Sequence, residues 1–334
     1  MKLNKLMFLT TMAAGTLITI SSNTWLGVWL GLEMNLMSMI PLMSNSKNPL
    51  ESEATMKYFL TQAVASAIIL FSAISMMNTT SFMLPKSSIN MMMLAAVLMK
   101  MGAAPFHFWL PEIIEGLSWM NSLIVLTWQK IAPMVVTMYL NKPMMFLTSI
   151  IIWCMVISGI MGINQTSLRK IFAYSSINHI GWMISSIMYT QSIWITYLTI
   201  YTLITATMIV TLKAINSFHM TQLLSSLTKS KTTKILLMLN FLSLGGLPPF
   251  TGFFPKWLTI NMLINNSLYT LATMMTILTL MSLYFYIRMI MTTMSIYTSE
   301  PMNKIITPIK LETTMSNTLL ITTLMMCPLM ISFV

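Results

Sequence analysis

Residues 88–109 read SINMMMLAAVLMKMGAAPFHFW. As a helix rising about 1.5 Å per residue, the stretch is long enough to cross the roughly 30 Å hydrocarbon core of a bilayer. Its second half nevertheless carries Lys100, Gly102, Pro105 and His107. Glycine and proline at this depth release backbone groups that lipid cannot satisfy, so the segment is expected to be a helix broken inside a protein interior. Residues 239–263, LNFLSLGGLPPFTGFFPKWLTINML, repeat the device. Gly246, Pro248, Pro249 and Phe250 follow the same G-x-x-P-F pattern as Gly102, Pro105 and Phe106, again with a lysine, Lys256, close by.

The rest of the chain reads as material for the same solvent. Of 334 residues, 56% are hydrophobic and only 7% charged, with mean hydropathy +0.77. Soluble domains carry roughly a quarter charged residues, so this chain could not cover its surface in water. The sequence predicts an all-α membrane protein of about eleven transmembrane helices in one polytopic domain, residues 1–334. The segments lie near residues 3–21, 24–42, 57–77, 88–109, 120–140, 144–163, 171–190, 193–216, 235–262, 267–291 and 315–333. The start resembles a secretory signal, with Lys2 and Lys5 before an apolar run. That run is too long for one, and another span follows within a few residues, so it is read as the first helix.

In this order the broken segments, near 88–109 and 235–262, are the fourth and the ninth and run in opposite directions. Discontinuous helices at matching places of two inverted halves are the sequence pointer to a transport site. Two ordinary proline kinks are the plainer alternative; break, inversion and adjacent lysine together favour transport. Sidedness follows from the cations. With the N-terminus inside, the inner side carries Lys2, Lys5, Lys47, Lys57, Arg169, Lys170, Lys229, Lys231, Lys234, Lys304 and Lys310, and the outer loops only Lys86 and Lys142.

The net charge of +11 comes from 18 basic and 7 acidic residues. The bases are scattered singly between apolar runs, without an aromatic-interleaved patch, which argues against nucleic acid. Cys154 and Cys327 stand far apart in apolar runs, which supports neither a disulfide framework nor an iron–sulfur site. The 40 methionines are spread over every segment. They read as codon bias of an AT-rich genome that translates an extra codon as Met, as animal mitochondrial genomes do, ahead of a Met-lined binding surface.

Four charges fall where the bilayer is driest. Glu33 lies about ten residues from either end of its segment, and Lys130 is central in SLIVLTWQKIAPMVVTMYL, residues 122–140. Lys100 precedes Gly102 by two residues, and Lys256 follows Pro249 by seven. One such charge costs at least about 2.5–3.5 kcal/mol, so four unpaired would cost on the order of 10 kcal/mol. They are expected to face one another, water or a neighbouring subunit. One glutamate cannot neutralise three lysines, and lysines that exchange protons explain the surplus base. His107 and His179 are candidate relays between them, or core hydrogen-bonding groups. Glu112 and Glu115 are expected in a loop after Pro111 as solvated charges, and His219 in a loop. No phosphate-binding glycine loop, nucleophile elbow or metal-spaced His/Cys set is present, so no cofactor or metal is expected in this chain.

These stretches resemble the antiporter-like subunit 2 family of mitochondrial NADH:ubiquinone oxidoreductase, respiratory complex I. The likeness is carried, in the family's order, by Gly31-Leu-Glu33-Met-Asn35, Lys100-Met-Gly-Ala-Ala-Pro-Phe-His-Phe-Trp-Leu-Pro-Glu112, and Thr127-Trp-Gln-Lys130-Ile-Ala-Pro133. It continues through Asn164-Gln-Thr-Ser-Leu-Arg-Lys170, Tyr174-Ser-Ser-Ile-Asn-His179 and Leu244-Gly-Gly-Leu-Pro-Pro-Phe-Thr-Gly-Phe-Phe-Pro-Lys256. The resemblance implies a subunit of the proton-pumping arm in the mitochondrial inner membrane, N-terminus on the matrix side. It implies that Glu33 pairs with Lys100, and that Glu33, Lys100, Lys130 and Lys256 form the proton path. FMN, iron–sulfur clusters and quinone would bind other subunits. Expected neighbours are subunit 4L, subunit 4, nuclear-encoded accessory subunits and lipids, cardiolipin among them. The rival readings are a stand-alone Mrp-type cation/proton antiporter subunit and a non-pumping scaffold.

Overall fold

The computed structural model describes residues 2–45, 48–77, 85–227, 231–248 and 250–295. Among the described residues the chain forms fourteen α-helices and one 3-10 turn, with a single isolated β-bridge between Ser167 and His219. The backbone packs as two compact units, residues 1–154 and 155–334. Among the described residues six helices are long and apolar enough to cross a membrane unaided: α1, α2, α3, α8, α10 and α14 below.

The first unit holds α1 (Lys2–Ser21), α2 (Trp25–Met43), α3 (Pro49–Met77), α4 (Lys86–Met101), α5 (Trp109–Gly116), α6 (Trp119–Leu126) and α7 (Ile131–Tyr139). It also takes the first half of α8 (Met144–Ile163). Helices α1 and α2 meet through small residues: a Cβ on Gly31 would lie 2.8 Å from the Gly15 carbonyl oxygen and from the Thr19 nitrogen. In lipid, where apolar surface gives no drive to associate, such close backbone approach is a main source of helix pairing. Thr24 starts α2 by accepting the Gly27 N–H at 3.2 Å.

Two local departures from expectation have a proline as their cause. The segment near 120–140 is α6, a 3-10 turn at Trp128–Lys130, and then α7. Pro133 brings no N–H to the Gln129 carbonyl, and its ring crowds that carbonyl, so regular helix gives way in the turn before it. Glu112 and Glu115, expected in a loop, stand on α5. Pro111 is the third residue of that helix, in the first turn, where a missing N–H costs nothing. Proline there begins the helix.

The second unit holds the rest of α8, α9 (Leu168–Ile187), α10 (Gln191–Ile215), α11 (Met220–Leu227), α12 (Lys231–Gly245), α13 (Phe253–Asn265) and α14 (Tyr269–Ser295). Helix α9 is buried on every side from Ile171 to Ile187 and packs against α10, α13 and α14. On α14, Met274, Ile277, Met281, Tyr284 and Met291 are exposed at helical spacing, an apolar stripe suited to lipid. His219 lies, as expected, in the short loop between α10 and α11, where it bridges to Ser167. The expected last span near 315–333 lies outside the described residues, with Lys47, Lys229, Pro249, Lys304, Lys310 and Cys327.

Candidate functional site

In the first unit α4 stops at Met101, and Gly102 takes a left-handed φ of +75°, which a side chain would resist. Helical geometry resumes at Trp109. A helix end leaves carbonyls without partners, and here they are collected from three directions. The Leu98 carbonyl accepts from Gly102 and Ala103 N–H. The Met99 carbonyl accepts from Gly102 N–H and, at 3.0 Å, from the Trp109 indole. The Lys100 carbonyl accepts the Gln62 amide at 3.5 Å. Within the break, Ala104 N–H points at Cys154 Sγ, 3.2 Å away. His107 Nδ1 lies 3.2 Å from the Pro105 carbonyl, which can only accept, so that nitrogen carries the proton.

Lys100 is 6% exposed, and its Nζ has no hydrogen-bond partner among the described residues. It lines a small cavity together with Asn35, Tyr58, Gln62 and Gln129 and the apolar walls Leu32, Leu36 and Pro133. The space is of the order of one water molecule. Glu33, on α2, is half-buried, and its charge acts on Lys100 across space. No ion pair joins the two, so the contact expected between them is a longer-range attraction in this structure. Lys130 is 2% exposed on the 3-10 turn that Pro133 produces, within electrostatic reach of the buried Cys154 side chain. The turn and α7 both pack on α4. Glu33, Lys100 and Lys130 thus belong to one packed unit.

In the second unit α12 ends at Gly245, and Gly246 takes a φ of +73°. Helix α13 begins at Phe253, and Lys256, on its first turn and 6% exposed, reaches back to the break. Its Nζ donates to the Gly245 carbonyl at 2.7 Å. A cation on the carbonyl end of a helix is favoured by the helix dipole. The same Nζ stands 5.8 Å over the ring of Trp182 on α9. Three residues before Trp182 on that helix, His179 Nδ1 shares a 2.8 Å hydrogen bond with Tyr197 and lies against Tyr201. Asn178 donates to Ser282 at 3.0 Å.

Several of these groups escape a reading of the sequence. Gln62 and Tyr58 are neutral and sit in a span without a motif, and Asn35 and Gln129, though inside the quoted motifs, carry no charge to single them out. Trp182, Tyr197 and Ser282 are ordinary membrane-helix residues until α9 is seen to be enclosed. The available signal was weak: amides in apolar helices are costly to bury and therefore partnered. Among the described residues no group of three or more His, Cys, Asp or Glu is placed to hold a metal.

With this geometry in hand, residues 22–282 match the family described as NADH:quinone oxidoreductase/Mrp antiporter, transmembrane. NADH-ubiquinone oxidoreductase chain 2 of Anopheles gambiae is 48% identical over 292 residues, 86% of this chain and 85% of the relative. Its counterpart in Xenopus laevis is 44% identical over 293 residues, 84% of this chain and 83% of the relative. The chain belongs to the NADH-ubiquinone oxidoreductase chain 2 family. Its fold agrees with a chain of respiratory complex I from Thermus thermophilus with bound aureothin, at TM-score 0.83 and 21% identity, over 97% of this chain and 77% of that one. It agrees also with a chain of the Mrp complex from Dietzia sp., at TM-score 0.75 and 16% identity, over 92% of this chain and 62% of that one. In the chain 2 family, then, this is an antiporter-like membrane subunit of complex I.

Proposed function

We propose that the chain moves protons through Glu33, Lys100, Lys130 and Lys256 within a proton-translocating NADH:ubiquinone reductase of the mitochondrial inner membrane. Electron transfer from NADH to ubiquinone takes place in other subunits, which hold FMN, iron–sulfur clusters and quinone. The observation that carries this reading is the repetition of one device: a buried lysine beside a helix end whose glycine has φ +75° in one unit and +73° in the other. Structural lysines have no reason to recur at matched breaks, whereas two discontinuous helices of an inverted repeat, in a protein of eleven spans, would each need one.

Chemically, a proton arriving on one lysine repels the charge on the next through a medium that screens poorly. A charge shift caused by quinone reduction would weaken the hold of Glu33 on Lys100. Lys100 would then change the proton affinity of Lys130, and Lys256 would pass the proton on, with His107 and His179 as supporting relays. The proposed neighbours are subunits 4L and 4, accessory subunits and cardiolipin, with the N-terminus on the matrix side. Replacing Lys130 by Met in the assembled complex tests the path. Protons pumped per NADH are expected to fall; an unchanged ratio would remove Lys130 from the path. A stand-alone antiporter would instead work in membranes lacking redox subunits, and a scaffold would lose assembly and keep its pumping ratio.

A further inference from the structure

Lys100 is held at a broken helix end by side chains of a neighbour that no sequence motif marks. Helix α3 runs behind the break and touches both sides of it. Beyond the break, Lys57 pairs with Glu112 of α5 at 2.8 Å, and Tyr58 lies edge-on to Trp109 with ring centres 6.2 Å apart. Before the break, Gln62 donates to the Lys100 carbonyl. Tyr58 and Gln62 are four residues apart, one above the other on a single helix face. Both are at least nine-tenths buried, at 2% and 5% exposure, and both line the small cavity that Lys100 lines.

We propose that Gln62 is the positioning residue for Lys100: its amide clamps the broken end of α4, and its remaining polar edge holds one water against the Lys100 ammonium. The inference deepens the proton-path reading and rests on it for its meaning in turnover. The cavity suits the task. Lys100 Nζ must donate to something, for an unpaired buried ammonium is far costlier than a bonded one. Asn35, Gln62, Gln129 and Tyr58 supply neutral donors and acceptors on its walls, and Leu32, Leu36 and Pro133 supply its apolar sides. A water held by two to four such partners is a normal buried water.

The test compares complexes carrying the wild-type chain, Gln62→Leu, Glu33→Gln and Glu33→Gln with Gln62→Glu. A map that resolves water is expected to show density bonded to Lys100 Nζ and Gln62 in the wild type and none in Gln62→Leu. Gln62→Leu is expected to lower coupled turnover roughly tenfold, the scale of one charged hydrogen bond. In the double variant a carboxylate at 62 faces Lys100 across the cavity. It is expected to restore the pumping that Glu33→Gln loses, a rescue that a merely structural glutamine would not give. Density unchanged in Gln62→Leu, or a double variant no better than Glu33→Gln at equal complex content, overturns the proposal. Should Gln62→Leu fail to assemble, the double variant still decides. Lys100→Met separates the two levels: full pumping in that variant sinks the proton path, while the clamp stands or falls on the density.

Discussion

Gly246 is the residue on which the second break turns. Its φ of +73° suits glycine, and a Cβ there would lie 2.7 Å from Lys256 Nζ and 2.8 Å from its Cδ. Alanine therefore meets two penalties: about 1–2 kcal/mol for the left-handed backbone, and the displacement of the lysine from the Gly245 carbonyl. Gly246→Ala is expected to lower both the thermal midpoint of the assembled complex and its protons pumped per NADH, measured on the same preparation. A loss of stability with the pumping ratio intact would mean that the lysine does not need its seat. Trp109 offers a milder contrast at the first break. Trp109→Phe removes one of the two N–H donors to the Met99 carbonyl but keeps a ring against Tyr58. A thermal-inactivation series should show a loss of about 0.5–1.5 kcal/mol, the net worth of one hydrogen bond.

Among the elements, the seam between α6 and α7 bears most directly on Lys130. The 3-10 turn at Trp128–Lys130 exists because Pro133 cannot donate to the Gln129 carbonyl. Pro133→Ala restores that donor and lets α6 run into α7 as one helix. The lysine would then rotate away from Cys154 and the break in α4, since a 3-10 turn advances 120° per residue and an α-helix 100°. The expected outcome is a complex that assembles and oxidises NADH with fewer protons pumped; an unchanged ratio would make the turn incidental. This seam also marks how far the sequence could be read. Apolar spans, helix ends at Gly102 and Gly246, and three buried lysines follow from hydropathy and from glycine and proline chemistry, which are local. Pro111 and Pro133 were harder: each lies in helix, one opening α5 and one loosening the turn before α7, and only the neighbouring residues decide which. Gln62 and Tyr197 were invisible because their role depends on what a different helix places opposite them. Enclosure is a tertiary fact.

For the molecule as a whole, the distribution of lysines makes a claim about sidedness that the first unit lets us sharpen. Asn90, in the second turn of α4, donates to the Asn141 carbonyl at 2.9 Å, so the α4 start that carries Lys86 and the loop that carries Lys142 share one end of the unit. Lys57 near the start of α3 is bonded to Glu112 beyond the break, which brings the α3 start and α5 together. Helices α3 and α4 pack on each other, and α4 with α5 carries the chain from the Asn141 level to the Glu112 level. The two lysines assigned to the outside therefore do sit together, at the end remote from Lys57. On the orientation proposed above, Lys57 would lie on the matrix side and Lys86 with Lys142 on the other. Single cysteines at 86 and 142 should react with a membrane-impermeant maleimide from the intermembrane side of mitoplasts, above the signal of the unaltered chain. A cysteine at 57 should react only in inverted vesicles. If 86 and 142 label from opposite sides, the fold of the first unit is wrong; if they label together from the matrix side, the fold stands and the orientation reverses.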